Sequence, residues 1–501
     1  MIQYSEIRLV NRLDAEYFQR KFLQLQARVT DGKFRKLAEL CEFIQTGPAG
    51  SALPASSYVQ SIKGFNNAYC IARNPPNPPL AKGGSKKDSS FNKRGLKLIP
   101  PFIKGDKGGF WGGIKVYRPS NLNGWTCGSG GLVYVSKDFC MTRPIALYKP
   151  RDLLITRVGD IKFGIIEGGN TDRFAISPNM IALRTKEDLL DPYFLLAFLN
   201  THYGFEQIKR VQRKVSLSSI TKQDISNIQI PDISIKEQVK IGNLVRSGLA
   251  KKTEAKKIYD EADNLLLKRT CMYPNGIASS FLLAMTNSSS IRLSKLREAR
   301  RADAEYFIRN GRDDKRNKIK TVQLGEIAYV VRGIEVGRKA YQENGVLFLR
   351  SSNISKFGLL QKSQKYISED LYKKFYRKYQ PQMGDILLVK DGKPGVSFLT
   401  RKSIEAVVSE GIVRLRLKAS QRAEYISLCL NSAFCRQQIR THIDGSLVPH
   451  LKIDQLRGLL IPIVSENKQK EISILVKKSG IIFQEGDDDL QSAKGFINNS
   501  F

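Results

Sequence analysis

The stretch "RLDAEYF" at residues 12–18 returns as "RADAEYF" at residues 301–307. Further paired blocks follow in the same order, and "DLLITRVG" at 152–159 matches "DILLVKDG" at 385–392, 233 positions later. A repeat of this length is far longer than the roughly 20 to 50 residues of solenoid and propeller repeats. The duplication therefore predicts two homologous globular halves.

The first copy carries an insertion. Gly47 aligns with Gly333, 286 positions later. Arg118 aligns with Arg350 only 232 positions later, so the first copy has 54 extra residues between these points. Residues 74–114 supply 41 of the 54 and are rich in Pro, Gly and Lys. Such a composition cannot bury a core, and it predicts a mobile surface loop, a passenger on the working domain.

Composition limits the class of protein. At 501 residues and 41% hydrophobic content, the chain can bury two cores. It has no run of 18 apolar residues, and its N-terminus is too charged for a signal peptide, so a soluble cytoplasmic protein is expected. The seven cysteines form no CxxC pair, which indicates reduced thiols rather than disulfides or a metal site.

Charge is the strongest bulk signal. The chain has 82 Lys and Arg against 47 Asp and Glu, a net charge of +35. A polyanion is the natural partner for this excess. Nucleic acid fits better than a membrane surface, because the basic residues recur through both halves instead of lying on one amphipathic helix.

Each half has the pattern of a mixed α/β domain. Segments such as "GDILLVKDGKPGVSFL" combine β-branched and aromatic residues with Gly-rich turns, which favours strands. Residues 191–212 and 421–441 have helical spacing instead, which predicts one helix after the strands of each half.

Each half ends in a heptad pattern with small residues at every other apolar position. This pattern predicts two helices of about 32 residues, roughly 48 Å long, packed against each other as a coiled coil. Gly486 and the acidic run 487–489 are expected to weaken the second helix. The seam residues are Val245, Gly248, Ala255, Tyr259, Ala262 and Leu266 in the first copy and Val476, Ser479, Phe483, Gly486, Leu490 and Ala493 in the second.

This arrangement resembles the specificity subunit of type I restriction-modification systems. The duplicated DAEYF openings, the "DLLITRVG" and "GDILLVKDG" segments and the "IPDISIKEQVKIGNLV" and "IPIVSENKQKEISILV" entries to the helices carry the resemblance. It implies an α+β fold with a pseudo-twofold internal repeat, in which two mixed α/β target recognition domains are separated by two long antiparallel helices that form a coiled-coil spacer. The implied segments are residues 1–233 (first recognition domain), 234–270 (central spacer helix), 271–290 (linker), 291–464 (second recognition domain) and 465–501 (C-terminal spacer helix).

The resemblance also implies a function and partners. The chain would be the non-catalytic subunit that reads an asymmetric, bipartite target in double-stranded DNA. Two methyltransferase subunits and the restriction and translocase subunits would assemble on it, and S-adenosylmethionine would bind to the methyltransferase rather than to this chain.

DNA contacts are expected on loops of the sheet domains, where the two copies diverge. Basic side chains in these segments could contact phosphates or base edges, while a plain surface role is equally compatible with each one. The candidates are Arg157, Lys162, Arg173, Arg210, Arg213 and Lys214 in the first half and Arg332, Arg338, Lys373, Lys374, Arg377, Lys390 and Lys393 in the second.

Two other functions stay open. "NPPN" at 74–77 is similar to the motif of amino-methyltransferases, which would suggest an N6-adenine DNA methyltransferase or a methyltransferase-specificity fusion remnant. The aromatic residue of that motif is replaced by Asn77, and no upstream nucleotide loop is present. A two-domain RNA-binding scaffold would also explain the charge, although RNP-type and GXXG motifs are lacking. The three histidines have no metal-ligand spacing, so neither a catalytic residue nor a metal site is predicted.

Overall fold

The computed structural model describes residues 34–47, 59–60, 114–128, 130, 132–135, 147–169, 172–212, 218–269, 320–360, 363–418, 422–442 and 450–499. Both DAEYF blocks, the predicted 271–290 linker and residues 74–113 of the predicted insertion lie outside these stretches. Ile114, the last residue of that insertion, already belongs to a strand.

The first compact unit comprises Met1–Val245 and Ser492–Phe501. Its strands are β1 (Phe34–Lys36), β2 (Cys41–Thr46), β3 (Val59–Gln60), β4 (Ile114–Tyr117), β5 (Val133–Val135), β6 (Leu153–Thr156), β7 (Phe163–Ile165), β8 (Phe174–Ile176), β9 (Met180–Thr185) and β10 (Gln229–Pro231). Its short helices are α1 (Pro192–Leu199), α2 (His202–Val211) and α3 (Lys222–Ser226), and the long helix α4 (Ile235–Arg269) begins in it. The sheets have the orders β2-β9-β6-β7, β3-β5-β4-β8 and β1-β10.

The second compact unit comprises Arg246–Gln491. Its strands are β11 (Thr321–Gln323), β12 (Ala328–Arg332), β13 (Val346–Leu349), β14 (Lys365–Ile367), β15 (Ile386–Val389), β16 (Ser397–Leu399), β17 (Ala406–Val408), β18 (Ile412–Leu417) and β19 (Leu460–Pro462). Its helices are α5 (Leu324–Ile327), α6 (Glu369–Tyr379), α7 (Ala423–Asn431), α8 (Ala433–His442), α9 (Ile453–Arg457) and most of α10 (Glu466–Asn499). The sheets have the orders β12-β18-β15-β16, β14-β13-β17 and β11-β19.

Each unit therefore has the same three sheets, apart from the additional strand β3. The pairing directions also agree, because the only parallel pairs among the described strands are β4 with β8 and β13 with β17. Strands β6 and β15 are buried along their whole length and lie inside their sheets. This burial explains why both read as continuous apolar runs instead of alternating patterns.

The strands locate the insertion more narrowly than the sequence does. In the first unit, Val59 of β3 and Lys115 of β4 both pair with Tyr134, from its two sides. Strands on either side of one antiparallel partner run parallel to each other, so β3 and β4 are parallel and the chain crosses over between them.

In the second unit, the equivalent connection is only a few residues long. Gln342 and Leu347 both pair with Tyr366, from its two sides. The tight connection passes through Gly345, whose φ of +129° a residue with a side chain rarely adopts. The extra length of the first copy therefore enters between β3 and β4.

The prediction of one helix after the strands of each half is wrong. Two short helices stand at each place, α1 and α2 in the first unit and α7 and α8 in the second. In the first unit, α1 ends at Leu199, and Thr201 caps the next helix, since its hydroxyl accepts a hydrogen bond from the N–H of Gly204. Helical spacing alone does not show such a break.

Within the second unit, α4 and α10 pack against each other. The Ser479 hydroxyl donates to the Ala255 carbonyl oxygen at 2.7 Å, and a Cβ built on Gly248 would lie 2.7 Å from the Gly486 carbonyl oxygen. Seven residues forward on α4, from Gly248 to Ala255, thus correspond to seven residues back on α10. The two helices run antiparallel over these residues.

The heptad residues lie on the inner sides of these helices. The Cβ position of Gly486 is likewise 2.7 Å from the carbonyl oxygen of Gly248, so these two glycines allow the backbones to meet. Phe483 is half-buried and stacks on Phe357 of the sheet domain, with 4.9 Å between ring centroids. The buried seam residues are Val245, Gly248, Ala255, Tyr259, Ala262, Leu266, Val476, Ser479, Gly486, Leu490 and Ala493.

The expected weakening of the second helix near Gly486 is not observed, since α10 continues to Asn499. The acidic run has partners on α4. Asp489 accepts from Lys251 at 2.8 Å and from the Ser247 hydroxyl at 2.7 Å, and Asp487 accepts from Lys252 at 2.6 Å. Residues that disfavour an isolated helix here stabilise a pair of helices.

Candidate nucleic-acid interface

Each unit has a central hairpin, β6-β7 in the first unit and β15-β16 in the second. A buried carboxylate lies at the start of each hairpin, and the connection between its two strands is called the hairpin tip. Asp152, directly before β6, accepts two hydrogen bonds from Arg184, at 2.7 and 2.9 Å. Asp385, directly before β15, accepts from Arg416 at 3.1 Å and lies 3.5 Å from Arg414. Because both aspartates are almost fully buried, these ion pairs hold the base of each hairpin in place. The recurring Asp of the paired sequence blocks is therefore structural.

The Asn residues shared by both copies are structural as well. Asn121 Oδ1 accepts from the Arg118 N–H at 2.9 Å, and Asn353 Oδ1 accepts from the Arg350 N–H at 3.1 Å. Both asparagines are buried and hold a short turn.

Two predicted contact residues at the hairpin tip of the second unit differ in their exposure. Lys393 is exposed, one residue after Gly392. Lys390 is only 2% exposed, and its ammonium group donates to the Asp391 carboxylate at 2.9 Å. The structure therefore disfavours Lys390 as a DNA contact, because its charge is already paired inside the unit. Asp391 also contacts His450 Nδ1 at 2.5 Å, a contact that the sequence did not indicate.

The hairpin tip of the first unit has different chemistry at the same places. Val158 and Ser219 form the β-bridge that Asp391 and His450 form in the second unit. Arg157 is half-buried and donates to the Pro178 carbonyl oxygen at 3.3 Å. The repeat offset identifies Val158 and Asp391 as equivalent positions. It does not indicate that they pair with Ser219 and His450.

Of the five further candidates of the first unit, the three that the structure describes differ in their exposure and contacts. Lys162 is half-buried at the far end of the same hairpin tip. Arg173 is exposed and donates to the Asp172 carbonyl oxygen at 2.9 Å. Arg210 is half-buried on α2, and Arg213 and Lys214 lie outside the described residues.

Helix α6 presents cations on one side and apolar groups on the other. Leu371, Tyr372, Phe375 and Tyr379 pack on a buried cluster formed by β13, β14 and β17. Burial raises the pKa of Tyr372. The intervening cations are all exposed, and none forms an ion pair within the described part of the chain; they are Lys373, Lys374, Arg377 and Lys378.

The loop before β13 adds to this surface. Ile334, Val336 and Tyr341 pack on the same buried cluster as α6. Arg338 and its neighbour Lys339, which the sequence did not single out, are both exposed. Arg332 at the start of the loop is exposed too, but it forms an ion pair with Glu410. Arg338 therefore lies in a loop that packs on the same buried cluster as α6.

The sheet domain of the second unit is fastened to the helix pair by a loop. Phe357 lies edge-on to Tyr259 of α4, with 5.2 Å between centroids, and Lys356 lies 4.3 Å above the Tyr259 ring. Burial lowers the pKa of Lys356 and raises that of the nearby Asp263. These contacts join the basic surface to the helices as one body within the unit.

The described residues hold no group of three or more His, Cys, Asp or Glu side chains that could bind a metal ion. In the same part of the chain, no helix combines the length and hydropathy needed to cross a membrane. The "NPPN" motif lies outside the described residues.

Residues 317–481 match the family model of the type I restriction modification DNA specificity domain. This segment is a type I restriction-modification specificity domain. The resemblance drawn from the sequence is thereby confirmed, and the matched segment of the specificity domain contains α6, the hairpin tip and the first half of α10.

Some solved structures are also similar to this chain, at low sequence identity. The type I restriction-modification S subunit from M. genitalium is 13% identical, over 93% of this chain and 94% of that chain, with a TM-score of 0.39. The HsdS subunit from Thermoanaerobacter tengcongensis is 14% identical, over 78% of this chain and 90% of that chain, with a TM-score of 0.25. No curated protein matches the sequence.

Proposed function

We propose that this chain is the DNA sequence-recognition subunit of a type I restriction-modification complex. The match of residues 317–481 to the specificity-domain family carries the proposal. Because the two units have the same sheet orders but different hairpin tips, each would read its own half of an asymmetric, bipartite DNA target. Lys393 in the second unit and Arg157, Lys162 and Arg173 in the first are the base-reading candidates.

The helix pair is the proposed spacer. Helices of 34 and 35 residues are each about 50 Å long at 1.5 Å per residue. Modules that read two half-sites on one face of a duplex need a separation of about 34 Å or more. The paired glycines and the Ser479 hydrogen bond support a rigid rod, because they fix the helices at a short distance.

The catalysis would belong to partners. Two methyltransferase subunits, which bind S-adenosylmethionine, and the restriction and translocase subunits would assemble on this chain. The chain itself would contribute affinity, sequence choice and geometry.

Mapping methylated adenines across the genome, with and without this gene, tests the function. We expect one bipartite methylated motif to disappear with the gene and to return when the gene is restored. An unchanged methylation pattern in cells that express the partner subunits would contradict the proposal.

Calorimetry separates this function from that of a methyltransferase. The purified chain should bind no S-adenosylmethionine, whereas its complex with the methyltransferase subunits should bind it. Binding by the chain alone would favour the methyltransferase interpretation.

A further inference from the structure

The small sheet β14-β13-β17 has two differently used faces. Val346 and Phe348 of β13 face the cluster that α6 and the loop at 334–341 cover. Leu347 and Leu349 alternate with them and join the core shared with β15 and β18. Helix α6 and the loop therefore cover the same outer face with exposed cations. We call it the cationic face: Arg338, Lys339, Lys373, Lys374, Arg377 and Lys378.

The local structure holds the cationic face in position. The aromatic residues of α6 anchor the helix to the sheet, so that the exposed positions 373, 374, 377 and 378 stay on one side. Lys374 lies over the Phe375 ring and Lys378 over the Tyr379 ring, at 5.6 and 5.4 Å. The acidic residues Glu369 and Asp370 are confined to the first turn of the helix.

We propose that the cationic face binds the phosphates of duplex DNA and provides affinity without reading the sequence. This inference rests on the proposed function. Four of the six residues are lysines, which bind phosphates as point charges, and all six side chains are exposed. The chemistry of the face suits phosphate contact and salt-dependent affinity.

The segment of the first unit that aligns with α6 carries fewer cations than α6. Residues 136–146, which align with the segment that contains α6, read "SKDFCMTRPIA" and hold two cations, Lys137 and Arg143. The α6 segment is therefore expected to contribute more salt-dependent affinity in the second unit than its counterpart does in the first. One surface of the protein would then recognise the DNA sequence, and the cationic face would bind the phosphates.

Binding of the full chain to a mixed-sequence duplex at several salt concentrations tests the inference. The variant Lys373→Gln, Lys374→Gln, Arg377→Gln, Lys378→Gln should lose more than about tenfold in affinity at low salt. The negative slope of its log K against log salt should become shallower by roughly 2 to 4. Its melting temperature should stay near that of the unchanged protein, because these side chains are exposed. The methylated motif should keep its sequence while its occupancy falls.

The matched control removes the same number of charges elsewhere. Lys236, Lys240, Lys256 and Lys257 are exposed on α4, and their change to Gln should leave the salt slope as it is. An unchanged slope in the α6 variant, or an equal loss in the control, would overturn the cationic face while leaving the recognition function standing. If the unaltered chain, alone and with its partners, bound no DNA, the recognition function itself would fail.

Discussion

Helices α4 and α6 both carry adjacent cations, yet they use them differently. On α4, Lys251 and Lys252 form ion pairs with Asp489 and Asp487, and Lys252 also lies 4.8 Å above the Phe483 ring. On α6, the cations contact only aromatic neighbours of their own helix, and their charges stay unpaired within the described residues. A cluster of basic residues therefore indicates an external partner only where the fold leaves it without an internal one.

The largest effect is expected when the close contact between α4 and α10 is disturbed. Changing Gly486 to Ala places a Cβ 2.7 Å from the Gly248 carbonyl oxygen, and we expect the free energy of unfolding to fall by about 1–3 kcal/mol, because backbone cannot move aside. Urea denaturation followed by circular dichroism measures this change.

Gly495 is the matched control, since it lies on the same helix and nothing lies within 4 Å of its Cβ position. Gly495→Ala should raise the free energy of unfolding by about 0.5–1 kcal/mol through helix propensity. If both changes stabilise the protein, the close contact of α4 with α10 is wrong.

The next effect concerns the buried hydrogen bond between the helices. Ser479→Ala removes the donor to the Ala255 carbonyl oxygen and should lower the free energy of unfolding by about 1 kcal/mol. Ser492→Ala, at an exposed position of α10, should change it by less than about 0.5 kcal/mol. Equal values for the two variants in urea denaturation would argue against the hydrogen bond.

A smaller effect sharpens the contrast between paired and unpaired cations. Lys251→Gln with Lys252→Gln should lower the free energy of unfolding only slightly, because both ion pairs are partly exposed to solvent. The salt slope of DNA binding should not change, unlike that of the α6 variant. A clear decrease in the slope would show that paired cations also serve the DNA.

The smallest effect is a pH dependence. Burial alone would raise the pKa of Asp489, but hydrogen bonds from Lys251 and Ser247 outweigh it, and the pKa lies below its usual value. The resulting stabilisation is complete above the unfolded-state pKa of about 3.9 and is lost as the pH falls through the folded-state pKa. Asp489→Asn should therefore be slightly less stable than the unchanged protein at pH 6 but equally stable near pH 2. A difference that persists at pH 2 would exclude this carboxylate as its source.

Repetition in the sequence carried most of the fold prediction. Paired blocks located equivalent strands, and the heptads located residues such as Gly248 and Ser479, because a seam repeats at a fixed period along one helix. The break at Thr201 was missed, because helical spacing continues across it while a single cap ends the helix.

The candidate site was only partly accessible from sequence. The alternation of cations and aromatics on α6 could be read directly, because residues three and four apart share a helix face. The burial of Lys390 could not, since it depends on Asp391 and on packing against residues distant in the chain. Tertiary packing decides which charges remain exposed, and no local pattern records it.

The tight step from Gln342 to Leu347 and the long one from β3 to β4 also bear on evolution and engineering. Loop-closure entropy grows with the logarithm of length, so extending this connection from about four to about fifty residues costs only about 2 kcal/mol. The connection joins strands on both sides of β5. It contains none of the residues that form the ion pairs of Asp152 and Asp385. The same crossover in the second unit is therefore a natural entry point for a reporter or an affinity tag.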